Sequence, residues 1–227
     1  TVTVRDVLVG EVWLAAGDDL IAGSAAGPTV SPAPGPVRVF TATATSADGP
    51  AESVAGNWAG VGTEGDAISL VFARDLQRRL QVPVGILHAA SPGIAIDAWL
   101  SPAALGSTPA FLAEAGPNAA RLFNGTINPL LPSALRGVIW AQGTADADRA
   151  PGYHARFAAL ITHWRRHLGQ GDVPFFWVQL PPTKSPVEPG ARAYARLREA
   201  QEQTLDLPAT GQAISIDLDA SDTREMG

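Results

Sequence analysis

Three groups of side chains in this sequence have types and spacings that could do chemistry. The first is the acidic pair Asp18-Asp19, placed after an apolar run and the turn-forming Gly17. Two carboxylates on a loop suit a hard cation such as calcium or magnesium if Asp146 or Asp222 joins them, and otherwise stand solvated. The second is Ser91, three residues after His88, which invites a nucleophile and base reading. No G-x-S-x-G elbow surrounds that serine. The third is His154, His163 and His167, which fall in one amphipathic helix together with Trp164, Arg165 and Arg166; His163 and His167 stand at i and i+4, but without an H-E-x-x-H pattern they read as polar residues of a solvated helix face. No metal or cofactor is expected.

These residues sit at the edges of regular elements. Apolar runs rich in Val, Ile and Leu recur at Val7 to Leu14, Val82 to Leu87, Gly137 to Trp140, Val173 to Leu180 and Ala213 to Leu218, and they read as buried strands. Helical periodicity marks Asp66 to Gln81, Gly152 to Leu168 and Ala191 to Leu205. In the first of these Ile68, Phe72, Leu76 and Leu80 recur every four residues. Strands alternating with helices predict a doubly wound parallel sheet covered on both faces. The Gly-, Pro- and Ser-rich stretches Ala22 to Pro36 and Ser46 to Gly65 read as loops, with Val37 to Ala44 between them alternating like an exposed strand. Those loops follow the carboxyl end of the first strand, where open α/β sheets bind ligands. Trp13, Trp99, Trp140 and Trp177 belong to apolar runs and read as core. Trp58, in a Gly-rich loop, is the aromatic residue with a claim to face a ligand.

The 227 residues, 46% hydrophobic and 17% charged, suffice for a single core, so one domain over residues 1–227 is expected. Its start at Thr1 and its end at Gly227 suggest a segment of a longer multidomain protein. A net charge of −6, with 16 Lys and Arg scattered along the chain, argues against nucleic acid as a partner. There is no cysteine, which excludes disulfides and thiolate chemistry. No apolar run approaches the roughly 20 residues of a membrane span.

The run Val7-Leu8-Val9-Gly10-Glu11-Val12-Trp13-Leu14 resembles the stretch that leads into the G-Q-S-N-M motif of sialate O-acetylesterases. Pro83-Val84-Gly85-Ile86-Leu87-His88-Ala89, continuing to Ile96-Asp97-Ala98-Trp99-Leu100-Ser101, is similar to the family's second block. Leu122-Phe123-Asn124-Gly125-Thr126-Ile127 and Asn128-Pro129-Leu130-Leu131-Pro132 resemble the stretch before the third, which follows as Arg136-Gly137-Val138-Ile139-Trp140-Ala141-Gln142-Gly143. The resemblance covers nearly the whole chain. It implies an SGNH-hydrolase fold of the flavodoxin-like three-layer type, an acetylated sugar or glycan as partner together with neighbouring domains of the same polypeptide, and an extracytoplasmic or secreted location.

The same resemblance assigns roles to positions, and several positions depart from the family pattern. Where the nucleophilic serine belongs, Gly17-Asp18-Asp19-Leu20-Ile21 has Asp19. A carboxylate there would form a mixed anhydride and would repel the oxyanion by about 4 kcal/mol at about 4 Å in an effective dielectric near 20, roughly a thousandfold in rate. Where the second block reads S-W-G-G-T, Ala90-Ser91-Pro92-Gly93-Ile94 keeps Gly93, while Pro92 brings no N–H to an oxyanion. Where the third reads Q-G-E-S-N, the chain has Gln142-Gly143-Thr144-Ala145-Asp146. Where D-x-H-P supplies the base, the tail Asp217-Leu218-Asp219-Ala220-Ser221-Asp222-Thr223-Arg224-Glu225 holds Asp222 and Arg224 and no histidine; arginine is no base at neutral pH. Asp18, Trp58 and Asn124 are expected at a binding surface, and Asp18, Asp19 and Asp146 or Asp222 would make the crevice acidic. The expectation is a domain of the esterase family with impaired catalysis. The alternatives are an active carbohydrate acetylesterase with a rearranged site and a non-catalytic glycan-binding or structural module.

Overall fold

The computed structural model describes residues 3, 5–18, 21, 36–60, 68–182 and 190–216. Its centre is a seven-stranded sheet in the order β3-β2-β4-β1-β5-β6-β7. The strands are β1 (Glu11–Gly17), β2 (Val37–Ala42), β3 (Gly56–Gly60), β4 (Val84–Ala90), β5 (Gly137–Ala141), β6 (Phe175–Val178) and β7 (Thr210–Ala213). Every neighbouring pair is parallel except β2 and β3. The sheet is therefore mixed, with one antiparallel edge strand added to the expected parallel set.

Three longer helices flank it: α1 (Ile68–Leu80), α2 (Tyr153–Leu168) and α3 (Ala191–Gln203). Two apolar clusters occupy its two faces. One joins Trp13, Ala15, Val39 and Ile86 to Leu70 and Ala73 of α1, with Ile68, Phe72 and Leu76 packed around them. The buried stripe of α1 is centred on Leu70 and Ala73, and Leu80, expected inside, is exposed. The larger cluster carries Trp99, Trp140, Phe157, Trp164 and Trp177. Trp140 meets Trp99 and Trp164 edge-on at 5.5 and 5.8 Å, an arrangement that aromatic quadrupoles favour. Trp13, Trp99, Trp140 and Trp177 are thus core residues.

Several boundaries differ from the sequence reading for identifiable reasons. Val7, Leu8 and Val9 are exposed and β1 begins only at Glu11, whose N–H donates to the Pro83 carbonyl at 3.0 Å. Proline offers no N–H with which to lengthen the ladder past that point. Val37–Ala42 is an interior strand with Val37, Val39 and Ala42 buried, because Gly56–Gly60 pairs with it on its outer side. The last strand among the described residues is Thr210–Ala213, while Ile214 and Ile216, counted in an apolar strand at Ala213 to Leu218, are exposed. On α2, Trp164 and Arg165 are buried rather than part of a solvated face.

Candidate active site

The candidate site follows from strand register. Gly17 at the end of β1 is level with Ala90 at the end of β4 and with Ala141 at the end of β5. The segments starting at Gly17, Ala90 and Gln142 therefore leave three adjacent parallel strands at one height and meet in a single crevice. Gly17 makes the meeting possible. It adopts φ +144°, and a Cβ there would stand 1.9 Å from the Ala141 carbonyl oxygen. With that space clear, the Asp18 N–H donates to the Ala141 carbonyl at 2.8 Å and the Ser91 N–H to the Gly17 carbonyl at 2.9 Å.

Asp18, 2% exposed, turns its side chain across the crevice, where Oδ2 accepts the Gly143 N–H at 3.1 Å. Gly143 also needs to be glycine: its φ is +156°, and a Cβ would lie 2.5 Å from Leu197 Cδ2 on α3. Gln142 is locked beneath it. Its Nε2 donates to the Ile94 carbonyl at 3.0 Å and to Asp146 Oδ2 at 2.7 Å, while its Oε1 and backbone carbonyl accept from the Tyr153 hydroxyl at 3.0 and 3.1 Å. Gln201 Nε2 adds a second donor to that carbonyl at 3.1 Å. Burial, with the charges of Asp146 and Asp18 nearby, pushes the Tyr153 hydroxyl well above its ordinary value, so it stays a donor at neutral pH.

Asp146, at 1% exposure, is held by donors. Its Oδ2 accepts from the Ile96 N–H at 2.7 Å as well as from Gln142, and its Oδ1 from Arg149 Nη2 at 2.6 Å. Of the carboxylates expected to make the crevice acidic, Asp19 and Asp222 lie outside the described residues, while Asp146 is paired with Arg149. The same contact removes it from a cation site with Asp18. The ion pairs continue as a ladder: Arg149 Nη1 meets Asp97 Oδ2 at 2.8 Å, Arg156 Nε meets Asp97 Oδ1 at 2.8 Å, and Arg156 Nη2 meets Glu114 Oε2 at 2.8 Å. Partial burial works against the charge of Arg149, but its bond to Asp97 and the nearby Asp146 outweigh it and hold the pKa above the ordinary value.

Other expected site residues stand elsewhere. Trp58 packs on Phe40 with ring centroids 5.6 Å apart, and its ring edge lies over Gly85. Gly85 is five residues before the end of β4, about 16 Å along the strand from the crevice at the usual rise per residue. Asn124 is buried, its Nδ2 directed at the carbonyls of Ala47 and Asp48 at 3.4 and 3.3 Å, so it fastens the loop after β2 instead of facing a ligand. Gly93 and the exposed Pro92 form the turn after β4, and Thr144 opens the helical turn after Gly143. Asp19, Asp222 and Arg224 lie outside the described residues.

The four histidines of the chain are all placed. His88 Nε2 stands 2.8 Å from the Ile21 carbonyl, so that nitrogen carries the proton and cannot accept one. His154 contacts Thr204, and His167 bonds the His163 carbonyl and meets Phe123 edge-on. None of the three on α2 is among the residues joined at the crevice. Among the described residues no group of three or more His, Asp or Glu is arranged to hold a metal ion, and no helix is long and apolar enough to cross a membrane. Sequence reasoning missed Asp97, Glu114, Arg149, Tyr153, Arg156 and Gln201, which fasten the crevice from below.

Comparison with known proteins gives a consistent result. Residues 12–224 match the family model described as carbohydrate esterase, sialic acid-specific acetylesterase. Sialate O-acetylesterases from Pongo abelii and Homo sapiens are 29% and 28% identical over 216 residues, covering 79% of this chain. The chain spans 41% of the length of each. Among solved structures, a carbohydrate acetylesterase from Xanthomonas citri superposes with a TM-score of 0.84 at 34% identity, over 98% of this chain and 55% of that one. An Arabidopsis thaliana protein shares the fold at a TM-score of 0.60 and 18% identity, over 95% and 94%. The architecture is the SGNH-type α/β fold that the resemblance implied.

Proposed function

Because the chain belongs to the sialic acid-specific acetylesterase family of carbohydrate esterases, we propose that it forms a single domain of a longer, secreted polypeptide which binds acetylated sugars at the crevice and no longer hydrolyses their esters efficiently. The observation that carries this reading is the chemistry at the motif positions. Asp19 stands in place of the serine, and Arg224 stands near the place of the histidine. The Gly143 N–H, a donor at the crevice, is already taken by the Asp18 carboxylate. Acyl transfer needs a nucleophile, a base and oxyanion donors as one unit. Losing several members leaves only binding and the surviving donors.

Two measurements on the unmodified chain test the reading. Hydrolysis of p-nitrophenyl acetate should stay at the non-enzymatic background, and calorimetry with O-acetylated monosaccharides should show binding. Turnover that disappears in Asp19→Ala would establish an active carbohydrate acetylesterase with a rearranged site. Neither turnover nor binding would leave a structural module.

A further inference from the structure

A groove of about 350 Å³ opens beside the crevice, between the turn after β4 and the loop after residue 114. Gly93, Ile94, Asp97, Glu114, Ala145 and Arg149 are among the residues that line it. The volume lies in the range of small-molecule sites, and Gly93 and Ala145 make the groove continuous with the converging motif segments. Its electrostatics are set by the ladder beneath it. Among the described residues Arg149 is the cation lining the groove, with 38% of its side chain exposed, and both Asp97 and Asp146 hold it at 2.8 and 2.6 Å. Arg156 is buried between Asp97 and Glu114, and the Glu114 side chain is 60% exposed.

Among the described residues the groove and its supports thus set three carboxylates, Asp97, Glu114 and Asp146, against two guanidiniums. An incoming carboxylate would have to compete with Asp97 and Asp146 for Arg149 and would face the exposed Glu114. Sugar hydroxyls, as donors, suit the Glu114 oxygens well.

We infer that this groove takes the uncharged ring of a neutral acetylated sugar and discriminates against a sugar that carries a carboxylate, such as a sialic acid. The inference rests on the glycan-binding reading above and adds the ligand class.

The test compares ligands that differ in one charge. Calorimetry with the unmodified chain would use 9-O-acetyl-N-acetylneuraminic acid, its C1 methyl ester and an O-acetylated methyl xyloside. At low salt the methyl ester and the xyloside should each bind roughly threefold to tenfold more tightly than the free acid, the scale of one partly screened like charge. The gap should shrink at 0.5 M salt, where the Debye length is a few Å. It should also shrink in Glu114→Gln, which keeps the acceptor facing Arg156. A free acid that binds as tightly as its methyl ester, or more tightly, overturns the inference and leaves the glycan-binding reading standing. Absence of binding by all three sugars overturns both.

Discussion

The Asp18 carboxylate accepts the Gly143 backbone N–H at 3.1 Å, joining residues 125 positions apart across the ends of β1 and β5. The bond lies in a buried place and uses an amide that a free crevice would offer to a ligand. Asp18 is therefore part of the architecture, whatever the crevice binds.

Asp18→Ala leaves the Gly143 N–H buried and without this acceptor. It should destabilise the fold by about 1–3 kcal/mol, the cost of a buried unpaired donor. Asp18→Asn keeps an acceptor oxygen and should lose less than half as much. Urea unfolding midpoints of the three proteins decide it, and equal stability of Asp18→Ala and the unmodified chain would show that the bond is dispensable.

Arg156 is buried and shared by Asp97 and Glu114. Arg156→Met should cost about 3 kcal/mol, the low end for orphaning a buried charge, because Arg149 still covers one Asp97 oxygen. Adding Asp97→Asn should restore part of the loss, a coupling that a double-mutant cycle reads directly. Strict additivity would mean that the pair does not interact in solution.

Tyr153 gives the fold a dependence on alkaline pH. Its folded pKa is raised above the ordinary 10.0, chiefly by burial. The stabilisation is complete below that ordinary value and is lost as pH rises toward the folded one, since the unfolded chain releases a proton that the folded chain retains. Unfolding midpoints should hold up to about pH 10 on this account and fall above it. Tyr153→Phe should be less stable at pH 7 by about 1 kcal/mol and show a shallower alkaline decline; an unchanged slope would assign the decline to other groups.

His163 acts in the opposite pH range. Burial, then the nearby Arg166 and His167, lower its pKa below the ordinary 6.5. Its contribution is present above 6.5 and fades as pH falls toward the folded value, because the unfolded chain binds the proton more readily. His163→Gln should lose less stability between pH 7 and about 5 than the unmodified chain does. Two-dimensional NMR titration of the imidazole would contradict this if it gave a midpoint at or above 6.5.

Activity should respond to repair only as a set. Asp19→Ser alone should remain at background, since the new hydroxyl lacks a base. Asp19→Ser with Arg224→His and Pro92→Gly should give measurable turnover of p-nitrophenyl acetate, because members of one reaction unit are strongly non-additive. Background rates from the triple variant would show that the scaffold has lost more than these three positions.

The crevice was legible because its residues follow apolar runs directly, and strand ends at a common height bring them together. The ladder was not. Asp97, Glu114, Arg149 and Arg156 meet across 42 to 59 positions of sequence, and only Asp146 with Arg149, at i and i+3, left a local trace. Val37–Ala42 alternates as an exposed strand would, because alternation says nothing of what pairs along its outer edge. Gly56–Gly60 has the composition of a loop and becomes a strand through that pairing. Trp58 and Asn124 show the limit of reading single residues: an aromatic in a Gly-rich loop and an amide in a motif look alike whether they face a ligand or another segment.

The central position of β1 also bears on how this chain reaches its native state. β1 pairs with β4 and β5, so both of its partners lie later in the sequence, about seventy and about a hundred and twenty residues along, separations that slow folding. During synthesis from the amino end, the apolar segment Trp13-Leu14-Ala15-Ala16 leaves the ribosome well before either flank exists to cover it. The nascent chain therefore passes through a long interval with its innermost strand unpaired, in which aggregation competes with folding and chaperones have a segment to hold.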